Sequence, residues 1–101
     1  MRLQNVYGEG QSLINPYTGI LSIFSNRILT NSNIEIFEDG QQTRDFVHVS
    51  DVVSIIKKII DDEVKNKLQI YNVGSGSSTK IIDVVETLYK YFKKKENLSL
   101  I

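Results

Sequence analysis

Apolar positions along the chain change period several times, and each change marks an element. "RLQNVY" (Arg2 to Tyr7) reads as a short strand, and "GEGQSLINP" (Gly8 to Pro16) reads as a loop because it gathers two glycines and the only proline. From Tyr17 to about Thr30, residues Ile20, Leu21, Ile23, Phe24, Ile28 and Leu29 recur at helical spacing and predict a helix. "TNSN" breaks that pattern. Ile34 and Ile36 with Phe37, then Asp39-Gly40, then Phe46 alternating with His48, predict two short strands joined by a turn.

The clearest helical pattern is "SDVVSIIKKIIDDE". Val52, Val53, Ile55, Ile56, Ile59 and Ile60 make one apolar face, while Lys57, Lys58, Asp61 and Asp62 make the wet one. Ser50 is placed to cap this helix, and Asp51 sits in its first turn, where the helix dipole favours a negative charge. "LQIYNVG" (Leu68 to Gly74) then predicts a strand and "SGSS" a turn. Thr79 is expected to begin another amphipathic helix, marked by Ile81, Val84, Val85, Leu88 and Phe92. Lys93 to Lys95 suit the negative pole at its end, and "ENLSLI" carries no predicted element. Strands alternating with about three helices imply an α/β fold.

Composition narrows the function classes. A chain of 101 residues, 41% hydrophobic and 24% charged, is one small domain or a piece of a larger one. Twelve basic and twelve acidic residues cancel, so no surplus of positive charge points to nucleic acid or an anionic membrane, and any anion site must be local. The absence of cysteine removes disulfides, thiolate metal sites and cysteine nucleophiles, and fits a cytoplasmic chain. No apolar run reaches membrane-spanning length, and the N-terminus has no signal-peptide pattern.

Several motifs invite a chemical reading. Gly74-Ser75-Gly76-Ser77-Ser78-Thr79 follows a strand and precedes a helix, the setting of a dinucleotide-binding G-x-G-x-x-G turn. Thr79 stands where the third glycine belongs, and the only acid about 20 residues further on is Glu96, in a lysine-rich tail. A strand-to-helix turn with a Ser or Thr cap explains the stretch more simply. Tyr89-x-x-x-Lys93 and Tyr91-x-x-x-Lys95 overlap out of phase, so the two pairs lie on different helical faces and cannot both act as a catalytic pair. An amphipathic helix ending in aromatics and lysines produces the same pattern. His48 is the sole histidine and reads as a packed, hydrogen-bonded imidazole. Asp61, Asp62 and Glu63 read as an acidic helix end facing water. Local physics leaves Arg44 open between a salt bridge to Glu38 or Asp39 and an anion clamp.

Three blocks, "RLQNVYGEGQSLINPYTGILSIFSNRIL", "IFEDGQQTRDFVHVSDVV" and "IYNVGSGSSTKIIDVVETL", occur in an order and spacing that resemble the C-terminal half of NAD-dependent nucleotide-sugar epimerases and dehydratases. These are extended short-chain dehydrogenase/reductases, such as the UDP-glucose and dTDP-rhamnose 4-epimerases. "QSLINPYTG" looks most like the rhamnose-type branch.

The resemblance implies a Rossmann-type fold of which residues 1–101 are a single C-terminal, nucleotide-sugar-binding portion. The N-terminal Rossmann domain, with its NAD site and catalytic Tyr-x-x-x-Lys pair, is then absent. Asn5 matches the family asparagine that bonds the substrate diphosphate, and Arg44 matches the arginine that pairs with it. Leu3 and Gln4 fall where the family chain passes the nicotinamide and sugar. Leu3 departs from the tyrosine common in 4-epimerases, and Gly8-Glu9-Gly10 departs from the usual Gly-Pro. Asp45 and Asp51 are expected to be structural.

No catalytic residue and no metal ligand is expected here. NAD belongs to the parent enzyme and is not expected to be held by this chain alone, and the expected partners are a UDP- or dTDP-sugar and the missing half. A nucleotide-sugar dehydratase fragment and a non-catalytic binding module are the alternatives. Self-association through apolar helix faces deprived of the Rossmann half is a third alternative.

Overall fold

The computed structural model describes residues 1–62 and 68–101. In chain order the elements are β1 (Arg2–Leu3), β2 (Asn5–Tyr7), α1 (Ile20–Leu29), β3 (Ile34–Ile36), β4 (Thr43–Arg44) and β5 (Phe46–His48). There follow α2 (Val49–Asp61), β6 (Asn72–Val73), β7 (Thr79–Lys80), α3 (Ile81–Phe92) and β8 (Leu98–Leu100). The predicted α/β class, with three helices among short strands, is what forms. Of the acidic cluster at the end of α2, Glu63 lies outside the described residues.

The N-terminal segment changes partner midway. β1 runs parallel to β6, with Arg2 N–H donating to the Tyr71 carbonyl (2.7 Å) and Gln4 N–H to that of Val73 (2.9 Å). One residue later the same extended chain, now β2, runs parallel to β5, and Asn5 N–H donates to the Asp45 carbonyl (3.0 Å).

The predicted hairpin does not form. β3 pairs in parallel with β8, more than sixty positions later, and β5 pairs with β2. The Asp39-Gly40 turn is real, with Gly40 at φ +69° and the Asp39 carboxylate accepting from Gln41 N–H at 3.0 Å. Its carbonyls, however, face α3 rather than a returning strand. Ile81 N–H donates to the Gln42 carbonyl (2.9 Å) and Ile82 N–H to that of Gly40 (3.1 Å).

That arrangement also corrects the start of α3. Thr79 is not its first residue or its cap; it lies in β7, and the N-cap is Lys80, without a side-chain bond. The first N–H groups of a helix lack intrahelical partners, and here the Asp39-Gly40 turn supplies two of them. The tail "ENLSLI" is likewise more than a trailing end. Leu98–Leu100 forms β8, held by the buried Tyr89, whose hydroxyl donates to the Asn97 carbonyl (2.8 Å), and by Asn33 Nδ2 donating to Ser99 Oγ (2.9 Å). Of the predicted strand from Leu68 to Gly74, only Asn72–Val73 is paired.

α2 is capped by His48 instead of Ser50. The His48 Nδ1 accepts from Ser50 N–H at 3.2 Å and lies 2.7 Å from Ser50 Oγ, while Asp51 occupies the first turn as expected. A neutral imidazole with an unprotonated Nδ1 accepts as an Asp or Ser cap would.

Burial divides unequally. Phe24 and Ile28 of α1, Ile34 and Ile36 of β3, and Ile81, Val84, Val85 and Tyr89 of α3 form the main core. A second cluster holds only Val47, Val52 and Val73. The radius of gyration, 16.4 Å, exceeds the ~13 Å of a compact domain of this length.

Candidate functional site

Asn5 and Arg44 lie on different elements, yet both line one cleft of about 310 Å³, together with Ile20, Phe37 and Gln42. Arg44 reaches it from β4, where it pairs with Thr79 of β7 in an antiparallel register. Its side chain is exposed and, among the described residues, donates only from Nη1 to the carbonyl of Thr43 (2.8 Å). Among the described residues no carboxylate comes within ion-pair distance of it. Glu38, one acid proposed to pair with it, instead accepts from Gln42 Nε2 at 3.1 Å. The salt-bridge alternative for Arg44 is therefore not realised among the described residues.

Asn5 sits at the switch between β1 and β2. Its Nδ2 donates to the Asp45 carbonyl (3.1 Å), the same oxygen that receives its backbone N–H. Among the described residues, its second Nδ2 hydrogen and its Oδ1 have no bond. The sequence reading takes Phe37 only as part of a strand and gives Gln42 no role, although both lie in the "IFEDGQQTR" block. Phe37 is 72% exposed, an uncommon position for a large aromatic, and stands at the rim of the cleft. Leu3 and Gln4 are both exposed, on the β1 side of Asn5.

The glycine-rich turn has a different occupant from the one its pattern suggests. Ser75 N–H (2.7 Å), Ser75 Oγ–H (2.7 Å) and Gly76 N–H (3.0 Å) all donate to the carboxylate of Asp45. Successive N–H groups in such a turn make an anion-binding nest, and here the anion is internal. The hydroxyl of Ser75, then its N–H, lower the Asp45 carboxyl from its ordinary value; desolvation opposes them, and the Gly76 N–H adds a lesser lowering. With these donors taken by Asp45, the turn does not fit an NAD pyrophosphate. The expected structural role of Asp45, orienting the turn, has a concrete form in these bonds.

The remaining motif residues take structural places. Tyr89 is buried and bonded to Asn97, whereas Tyr91 is 77% exposed, so neither Tyr-x-x-x-Lys pair lies in the cleft. The His48 imidazole is packed edge-on to Tyr7, and its Nε2 lies 3.2 Å from the Glu9 carboxylate. A larger cavity of about 440 Å³ opens between α1 and α3, but neither Asn5 nor Arg44 lines it, nor does any charged side chain. No helix among the described residues is long and apolar enough to cross a membrane.

Comparisons with known proteins identify the family and the fold. The profile of the NAD dependent epimerase/dehydratase family matches residues 1–74. The dTDP-L-rhamnose 4-epimerase of Burkholderia thailandensis is 41% identical over 96 residues, which are 95% of this chain and 26% of that protein. The dTDP-4-dehydro-6-deoxyglucose reductase of Escherichia coli is 33% identical over 95 residues, 94% of this chain and 29% of that protein. Among solved structures, the UDP-glucose 4-epimerase of Thermotoga maritima with UDP-glucose superposes with a TM-score of 0.80 at 29% identity, covering 98% of this chain and 31% of that one. The chain thus spans between a quarter and a third of the length of these relatives. Its fold is part of the extended short-chain dehydrogenase/reductase fold of those enzymes, and the chain belongs to the NAD dependent epimerase/dehydratase family.

Proposed function

We propose that this chain supplies the nucleotide-sugar side of an NAD-dependent 4-epimerase, with Asn5 and Arg44 holding the diphosphate of a UDP- or dTDP-sugar. The observation that carries this reading is the shared cleft, in which an unpaired guanidinium and an amide with a free N–H converge from separate elements. Guanidinium is always charged, and its planar fork matches two phosphate oxygens, so lysine would not replace Arg44 equivalently. The relatives support the class of ligand: one is named for a dTDP-sugar, and another was solved with UDP-glucose.

NAD, when bound in the parent enzyme, supplies the hydride chemistry. In our reading it is held by a Rossmann half that residues 1–101 do not provide, so the isolated chain binds nucleotide weakly in the cytoplasm and does not turn substrate over. The likeness to a reductase over nearly the same stretch supports reading this portion as serving binding more than the choice of reaction.

Titration calorimetry with UDP and dTDP tests the proposal. Arg44→Ala should weaken binding about tenfold or more, the equivalent of one charge-assisted hydrogen bond, with circular dichroism unchanged. Absence of binding by the parent chain at millimolar nucleotide would leave a non-catalytic module as the better reading. Clear turnover in a coupled epimerase assay with added NAD would overturn the division of labour.

A further inference from the structure

Resting on the nucleotide-site reading and deepening it, we propose that Asp45 is the positioning residue of this site. Its carboxylate pins the Gly74–Ser77 turn to the strand segment that carries Arg44, and its carbonyl aims the amide of Asn5.

Three segments of chain meet at this residue. From the N-terminal segment, Asn5 brings both its backbone N–H and its Nδ2 to the Asp45 carbonyl, at 3.0 and 3.1 Å. From the glycine-rich turn, Ser75 and Gly76 bring three donors to the carboxylate at 2.7 to 3.0 Å. Asp45 itself joins β4 to β5, next to Arg44. The turn continues directly into β7, whose Thr79 is the register partner of Arg44, so pinning the turn also fixes the strand on which Arg44 rests.

Gly74 makes the close approach feasible. A Cβ there would stand 2.5 Å from Asp45 Oδ2 and 2.8 Å from Gln4 Cγ. The glycine is needed for space rather than for its backbone angles. The pattern that imitates a dinucleotide fingerprint is, in this account, the seat of an internal carboxylate. Asparagine cannot substitute for it, because one end of its amide would turn an N–H toward donors that need an acceptor.

The test is nitrogen-15 NMR on the full chain combined with UDP titration. In Asp45→Asn, the amide resonances of Ser75 and Gly76 should move, and the side-chain amide pair of Asn5 should move with them although its own residue is unchanged. The UDP dissociation constant should rise about tenfold. Ser75→Ala, which removes one of the three donors, should shift the same resonances by less; if Asp45→Asn does not fold, this variant decides. A folded Asp45→Asn protein with unmoved Asn5 resonances, or with parental UDP affinity, overturns the proposal. Should the parent itself not bind UDP, the nucleotide-site reading falls, while the Asn5 and Gly76 resonances still decide the positioning role because they need no ligand.

Discussion

α2 and α3 have nearly the same sequence design and are covered to different extents. Both carry an apolar stripe along one face and acids in the first turn. In α3 the stripe is covered: Ile81, Val84, Val85 and Tyr89 are buried against α1 and β3. In α2 only Val52 is buried, while Val53 is 49% and Ile60 74% exposed. Leu68 and Ile70, leading into β6, are also exposed, at 97% and 62%. A hydrophobic stripe records that a face is meant to be covered, and it does not say by what. In α3 the covering comes from this chain; in α2 the chain half-covers Ile55, Ile56 and Ile59 and leaves Val53 and Ile60 exposed. The candidate site lies at the seam between the two parts, where the N-terminal segment leaves β6 for β5.

The largest effect should come from the covered side. Ile34, fully buried between α1 and α3, should cost about 2–5 kcal/mol when cut to alanine, from lost transfer energy and the cavity left behind. For a small domain with a limited core that is a large part of the whole stability. Urea denaturation of Ile34→Ala should show a much lower midpoint at a similar slope. An unchanged midpoint would mean that the α1–β3–α3 cluster is not what holds the chain together.

This contrast also explains which parts of the fold were legible in advance. α1, α2 and α3 announce themselves because helical periodicity is a local property. β8 does not, since Leu98–Leu100 becomes a strand only by meeting Ile34–Ile36 and by the bond from Tyr89 to Asn97. The start of α3 was misplaced because its first donors are met by Gly40 and Gln42, forty residues earlier, rather than by a Ser or Thr beside it. The cap of α2 was missed because an imidazole nitrogen does the work usually given to a hydroxyl or carboxylate.

For the site, the resemblance singled out Asn5 and Arg44, and the fold brings them to one cleft. Nothing local to "GSGS" revealed that its anion is Asp45, thirty positions away. Hydrogen bonds between distant segments leave no period in the sequence.

A smaller effect separates the seam from both sides. Donors from Ser75 and Gly76 lower the Asp45 carboxyl, so its contribution to stability is complete above the ordinary aspartate value of about 3.9. It declines as pH falls through the lower value of the folded state and is gone beneath that. The difference in urea midpoint between the parent and Asp45→Asn should therefore be steady at neutral pH and shrink below about pH 4. A difference that stays constant down to pH 2 would mean that the carboxylate charge contributes nothing to the clasp.

The smallest effect on stability should come from the uncovered face of α2, and it sharpens the comparison most. Ile60 loses little contact when replaced, so Ile60→Lys should alter the urea midpoint by no more than about 0.5 kcal/mol equivalent, as surface changes generally do. Its effect on association should be plain. Val53 and Ile60 lie on the same helix as exposed apolar side chains, and an apolar patch of this kind drives self-association when nothing covers it. Sedimentation velocity should show the parent chain shifting to larger species as concentration rises, and Ile60→Lys remaining a single slow species over the same range. If both variants sediment alike, α2 is not the associating face. If Ile60→Lys unfolds the chain, α2 is buried by this chain after all, and the contrast with α3 disappears.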